Sequence, residues 1–178
     1  MYNPYTMAIM IVVMIPTLKA LLRGAPFVPT PMEAIKKMLT FAELKPGSKI
    51  YDIGCGDGRS VYLAAKDYQA EAVGLELSPL VYCLAKIRKF FWRSKAKIKM
   101  KDFYFYNLSD ADAIVCYLLP ETLKRLKEKL EAELKPGTKI ISYAFQMQGW
   151  KEKHLEQRNP ELNMAPIWVY EIPAKNIS

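Results

Sequence analysis

The residues best suited to chemistry stand together between Lys49 and Arg59, in the run Lys-Ile-Tyr-Asp-Ile-Gly-Cys-Gly-Asp-Gly-Arg. Gly54, Gly56 and Gly58 alternate, so the backbone can turn sharply and a ligand can approach it without meeting a Cβ. The apolar residues ahead of the turn have the pattern of a buried parallel strand. Ser60 to Tyr68 reads as a helix whose N-terminal amides face back toward the turn. Strand, glycine turn and helix together form a nucleotide-type cradle. The spacing is not the dinucleotide fingerprint G-x-G-x-x-G: the third glycine comes one residue early, and Asp52 stands two residues before the first. A glycine turn alone could serve as a tight structural loop. A second feature argues for a ligand. An apolar strand from Ala72 ends in Glu76, about two dozen residues past Asp52, where an acidic side chain can hold a ribose diol by two hydrogen bonds.

These residues need a domain around them, and 178 residues suffice for one α/β domain with a real core but not for two. Lysine and arginine total 26 against 18 acidic residues, a net charge of +8. Such a balance suits nucleic acid, an anionic membrane surface or an acidic protein, without choosing among them. Cys55, Cys83 and Cys116 are odd in number and widely spaced, with no metal-ligand pattern, which fits a reducing compartment. Cys83 and Cys116 lie in apolar contexts and are expected to pack as small hydrophobes. His154, in a polar segment, is expected at the surface.

The chain opens on an apolar run, Met7 to Ile15, and Lys19 is the one charge between Tyr2 and Leu22. Membrane anchor, cleaved signal peptide and packed N-terminal helix compete for it. The signal peptide fits worst, having neither a basic start nor a clear cleavage site. The anchor is the reading adopted: a hydrophobic segment over residues 1–23, associated with the membrane through residues 5–22, ahead of a domain over 24–178. Lys19 and Arg23 then keep that domain cytoplasmic, on the cytoplasmic membrane. Gly24 to Pro31 holds three prolines and must be extended, with Thr30 placed to cap a helix and Pro31 at its first position. This arm, with Phe27 at its start, is either a plain linker or a flap over the cradle and its entrance. Leu44-Lys45-Pro46-Gly47-Ser48-Lys49-Ile50 returns almost unchanged as Leu134-Lys135-Pro136-Gly137-Thr138-Lys139-Ile140, one helix-to-strand turn used twice.

A helix from Leu80 to Trp92 carries Val81, Leu84, Ala85, Ile87 and Phe91. Lys86 to Lys101 contains eight basic residues among Phe90, Phe91 and Trp92. Such interleaving can bind nucleic acid, but a solvated helix face followed by an alternating strand, Ala96 to Met100, explains it equally simply. A fourth strand is predicted over Ala111 to Leu119, ending Cys116-Tyr117-Leu118-Leu119-Pro120. The Asn/Asp-Pro-Pro-aromatic motif of methyltransferases acting on adenine N6 or glutamine is absent there. A helix from Pro120, with Leu123, Leu126, Leu130 and Leu134 inward, precedes strands over Lys139 to Phe145 and Ile167 to Ile172.

Asp-x-Gly-x-Gly-x-Gly resembles motif I of the class I S-adenosylmethionine (SAM)-dependent methyltransferases. Combined with Phe-Val-Pro-Thr-Pro, Val-Gly-Leu-Glu-Leu and the Leu-Lys-Pro-Gly turn, the likeness is to one family in particular, over about Phe27 to Ile172. That family holds the archaeal protein lysine methyltransferases and the ATP synthase c-subunit lysine methyltransferases. The resemblance implies a Rossmann-like, doubly wound, mostly parallel seven-stranded α/β sheet. It implies SAM as cofactor, a protein lysine as acceptor, and direct in-line displacement as chemistry. It places Asp52, Gly54, Gly56, Glu76 and Asp102 at the cofactor, and Thr30, Cys55, Gly58, Leu77 and Phe103 are expected beside them. Phe27, Pro29, Pro31 and Tyr143 would line a substrate channel, and Tyr117 is the candidate catalytic residue. An RNA methyltransferase using residues 86–101 and a non-catalytic, membrane-associated SAM-binding protein are the alternatives, with nucleic acid the lesser partner.

Overall fold

The computed structural model describes residues 27–174, together with Asn3, Tyr5 and Met7. The expected anchor over residues 1–23 lies, those three apart, outside the described residues. Among the described residues no helix is long and apolar enough to cross a membrane.

The extended arm leads into α1 (Met32–Phe41), whose Ala34, Ile35, Met38 and Leu39 are buried at helical spacing. Pro31 is the cap residue and not the first helical one, and no side chain caps the helix, so Thr30 lacks the expected role. The reason is local: Pro31 stays extended at ψ 143°, and its carbonyl accepts the first helical bond, from the Ile35 amide at 3.1 Å. The order then runs β1 (Lys49–Ile53), α2 (Arg59–Asp67), β2 (Glu71–Glu76), α3 (Pro79–Trp92), β3 (Lys97–Met100), a 3-10 turn (Phe103–Phe105), β4 (Ala113–Cys116), α4 (Pro120–Glu133), β5 (Lys139–Tyr143), β6 (His154–Glu156) and β7 (Ile167–Glu171).

One sheet contains all seven strands in the order β3-β2-β1-β4-β5-β7-β6. The pairs from β3 through β5 are parallel, and β7 is antiparallel to both β5 and β6. Strand side chains alternate between two buried layers, as the pleat requires. Ile50, Ala72, Val115 and Ile141 face the layer holding α1 and α2, whereas Tyr51, Ile53, Val73, Leu75 and Ile114 face the leucines of α4. The twice-used turn closes both times with the same bond, Ser48 amide to Lys45 carbonyl (2.9 Å) and Thr138 amide to Lys135 carbonyl (3.2 Å).

Three expectations are corrected. β4 stops at Cys116, so Tyr117 to Leu119 lie beyond the strand, where the chain turns toward Pro120. α3 buries only Ala85 among its fourteen residues, while Leu84, Ile87 and Phe91 face outward, because α3 covers the β3 edge of the sheet and has no further layer above it. Cys83, on the same outer side, is exposed for the same reason.

Candidate active site

The strand order reverses direction between β1 and β4: from β1 the chain winds outward to β2 and β3, then returns to the far side. Open α/β sheets bind ligands outside the carboxyl ends of their strands at such a switch point. A cavity of ≈ 210 Å³ lies there, walled by the proline arm, the glycine turn, the end of β2, the start of the 3-10 turn and the end of β4.

The glycine turn forms its floor. Gly54, Gly56 and Gly58 adopt φ of 80°, 57° and 82°, which residues with a Cβ rarely reach. Two of them are also short of space. A Cβ on Gly58 would meet the Tyr62 hydroxyl at 2.5 Å, and one on Gly56 would meet the Phe27 ring at 2.7 Å. The arm therefore packs directly over the turn. Arg59 secures it, donating from Nη1 to the Thr30 carbonyl at 3.2 Å while pairing with Asp57 at 2.6 Å. Arg88 of α3 reaches the same Asp57 carboxylate, also at 2.6 Å.

Fewer amides are left for a ligand than the motif suggests. Gly54 and Cys55 both donate to the Leu75 carbonyl (2.9 and 3.0 Å), Gly58 donates to Cys55, and Gly56 donates to Glu76 Oε2 at 3.1 Å. Glu76 accepts from the Ser78 amide through its other oxygen, at 2.7 Å. The turn is thus shaped by the end of β2, and Glu76 braces it from below.

The electrostatics of the cavity are one-sided. Asp52 and Glu76 are both buried and both line it. Burial pushes the Asp52 carboxyl up to about 7, with the Glu76 and Asp57 charges adding to the rise and the Ser60 hydroxyl bond opposing it. Burial also raises Glu76, against the pull of the Ser78 and Gly56 amides. Ser78 Oγ, beside them, is buried and has no hydrogen-bond partner. Carboxyls of this kind favour a ligand that brings positive charge and hydroxyls. A dinucleotide diphosphate would set its anionic groups against them. SAM, with its ammonium, sulfonium and ribose diol, fits this donor set, and the orphaned Ser78 hydroxyl fits a diol next to Glu76.

Most of the predicted site residues converge here. Phe27, Pro29, Thr30, Asp52, Gly54, Cys55, Gly56, Glu76, Leu77, Asp102, Phe103 and Tyr117 all line the cavity. Asp102 caps the 3-10 turn by accepting from the Tyr104 amide at 3.0 Å, and Phe103 is buried behind it. Gly58, Pro31 and Tyr143 do not reach the wall. Gly58 caps α2, Pro31 caps α1, and Tyr143 is buried behind Tyr117, ring edge to face at 4.9 Å, with its hydroxyl accepting from the Ala165 amide. Sequence reasoning missed Ser78, Asp57, Arg59 and Leu118. The Glu-Leu-Ser-Pro spacing, a serine directly before a helix-starting proline, was the one available signal for Ser78.

Known proteins are similar to this chain in sequence and in fold. Residues 52–154 match the family described as ANTKMT methyltransferase domain. A protein-lysine N-methyltransferase of Saccharolobus islandicus is 38% identical over 133 residues, covering 73% of this chain and 83% of that protein. The adenine nucleotide translocase lysine N-methyltransferase of Mus musculus is 28% identical over 151 residues; the match covers 83% of this chain and 63% of the mouse protein, which is therefore considerably longer. Among solved structures, an RNA methyltransferase from Salinibacter ruber in complex with S-adenosyl-L-homocysteine superimposes with a TM-score of 0.78 at 28% identity, covering 85% of this chain and 97% of that one. The chain is a class I SAM-dependent methyltransferase and belongs to the ANTKMT methyltransferase domain family.

Proposed function

We propose that this enzyme methylates the ε-amine of lysine in a protein substrate. The observation that carries the proposal is the 38% identity to a protein-lysine N-methyltransferase across most of both chains. The cavity is compatible with it: the carboxyls of Asp52 and Glu76 line the same space as Phe27, Pro29 and Tyr117.

When bound, SAM supplies a methyl group on a sulfonium, open to direct in-line displacement by a neutral amine. In this reading Asp52 holds the cofactor's ammonium, and Glu76 with Ser78 holds its ribose diol. Gly54, Cys55, Gly56 and Gly58 shape the floor, Thr30 and Leu77 its sides, and Asp102 and Phe103 the base-binding wall. Phe27, Pro29 and Tyr117 form the wall along which the lysine enters, with Pro31 and Tyr143 supporting them from behind. Tyr117 is the candidate catalytic residue, its ring positioning the incoming amine. Alignment supplies most of the acceleration. Desolvation in an aromatic-walled passage lowers the lysine pKa, so the amine loses its proton without a dedicated base.

An RNA acceptor is the second reading, favoured by the likeness to the Salinibacter RNA methyltransferase and by the basic stretch 86–101. The absence of an amide-Pro-Pro motif after β4 speaks against a base-nitrogen acceptor, since Cys-Tyr-Leu-Leu-Pro stands there instead. Purified enzyme, labelled SAM and cell lysate decide between them. Label should resist RNase, yield to protease and appear as methyl-lysine by mass spectrometry. Label confined to nucleotides would transfer the assignment to RNA.

The domain boundary near residue 24 and the anchor over residues 1–23 are part of the same proposal, supported by the apolar run and by Lys19 and Arg23 after it. The domain then works at the cytoplasmic face of the membrane. Full-length protein should sediment with membranes and resist carbonate; its release would remove the anchor and leave the catalytic reading untouched.

A further inference from the structure

The outer face of α3 is apolar where a solvated helix would be polar. Leu80, Leu84, Ile87 and Phe91 follow one another at spacings of four, three and four, so they form a single stripe along the helix. All four are exposed, Leu80 at 58%, Leu84 at 39%, Ile87 at 57% and Phe91 at 74%, and Phe90 beside them is exposed at 78%. The opposite side, at Ala85, meets the protein. Helical geometry puts Arg88 at one border of the stripe; on the other side Cys83 and Phe90 widen it, and Lys86 stands beyond them. Arg88 also pairs with Asp57, and the other flank continues to Arg93. From Leu77 through Lys101 there is no acidic residue, while eight are basic. Exposed contiguous apolar surface of this kind marks an interaction site.

We propose that this face of α3 lies on an anionic phospholipid bilayer, with the apolar stripe in the upper acyl region and the flanking cations among the phosphates. An apolar stripe bordered by lysine and arginine, free of acids, is the arrangement of interfacial helices. Phe90 and Phe91 could stack on a base, but Leu80, Leu84 and Ile87, three of the four residues of the stripe, offer a nucleic acid nothing to stack on or hydrogen-bond, and an acidic protein would match the cations but not the leucines. A lipid surface satisfies both. The helix is about 21 Å long by its rise per residue, enough to lie along the interface but not to span it. Val81 of the same helix lines the catalytic cavity alongside Phe27. Docking through α3 therefore holds that cavity close to the membrane, where a lysine near the lipid surface can reach it. This contact is separate from any anchor formed by residues 1–23.

Cys83 provides the test, being exposed on this face while Cys55 and Cys116 are buried. A polarity-sensitive fluorophore attached to Cys83 of the full chain should shift to the blue with vesicles of phosphatidylcholine and phosphatidylglycerol in equal parts, and much less with phosphatidylcholine alone. Lys86→Glu with Arg93→Glu should weaken that partition by about tenfold or more. Ile87→Gln with Phe91→Gln should abolish the shift even if the protein still sediments with vesicles through its N-terminus. SAM affinity, measured on the same proteins, should stay unchanged, because none of the four residues lines the cavity. An unshifted label in the presence of anionic vesicles overturns the proposal, as does an equal shift with neutral ones. A label that responds to RNA and not to lipid overturns it in favour of nucleic acid.

Discussion

Asp52 and Glu76 are placed at some cost, because two carboxyls share a buried wall with little to neutralise them. For Asp52 the pH dependence has a definite sign. Its folded value near 7 lies above the ordinary carboxylate range, so the folded protein binds a proton that the unfolded chain releases. Without ligand, this group's contribution to stability is therefore present at low pH and lost as pH rises through about 7. A cationic ligand paired with Asp52 reverses the preference, since binding expels the proton. SAM affinity should accordingly rise between pH 6 and pH 7.5, and the rise should vanish in Asp52→Asn; calorimetry at several pH values, with an equal slope in both proteins, would take Asp52 out of the cofactor site. Glu76→Ala removes a charge-assisted contact on the order of 1.5–3 kcal/mol, a loss of roughly ten- to a hundredfold in SAM affinity. Unchanged affinity in both variants would remove the basis for the assigned cofactor contacts. Both acids were legible because their type and position relative to strand ends are informative in one dimension. Ser78 was not, since its meaning lies in a hydroxyl buried without a partner, and Asp57 passed for a spacer inside the glycine motif until Arg59 and Arg88 converged on it.

Among the elements, the proline arm and the glycine turn act as one unit. Phe27 covers Gly56 so closely that a Cβ there would strike the ring, and Arg59 ties the turn's helix to the Thr30 carbonyl. The arm owes little of its position to burial, for Phe27 and Val28 remain exposed. Replacing Pro29, Thr30 and Pro31 with alanine should therefore lower turnover severalfold or more while moving the thermal midpoint only slightly; an equal loss in both would make the arm a structural strap. Hydrophobic periodicity located the elements themselves well, as the buried strands β1, β2 and β4 and the inward leucines of α4 attest. It failed where periodicity carries no direction. In α3 the apolar positions read from the sequence divide: Ala85 is buried and Val81 lines the cavity, while Leu84, Ile87 and Phe91 face away from the protein, because only the position of the β3 edge decides which side of a helix is covered. β6 escaped notice for a different reason: His154–Glu156 is three residues long, with a polar residue at each end, and owes its strand to pairing with β7.

At the scale of the whole molecule, the sheet gathers the carboxyls of Asp52 and Glu76 and the rings of Phe27, Phe103 and Tyr117 around one cavity. A lysine arriving from solution is cationic, with an ordinary pKa of about 10.4, and only its neutral form can displace the methyl group. With SAM saturating, Asp52 no longer limits binding, so the dependence of kcat on pH reports the lysine alone. Each pH unit below the acceptor's pKa in the site should then change kcat about tenfold, for at most about a hundredfold gain between pH 7 and pH 9. The profile should bend where desolvation has set the acceptor's pKa, and a bend below about 10 measures how far the passage lowers it. Tyr117→Ala, which opens the wall to water, should move that bend upward and reduce kcat at neutral pH, with less effect at pH 9. A kcat that stays flat from pH 7 to pH 9 in both proteins would show that deprotonation of the amine does not govern turnover, and that Tyr117 has no part in it.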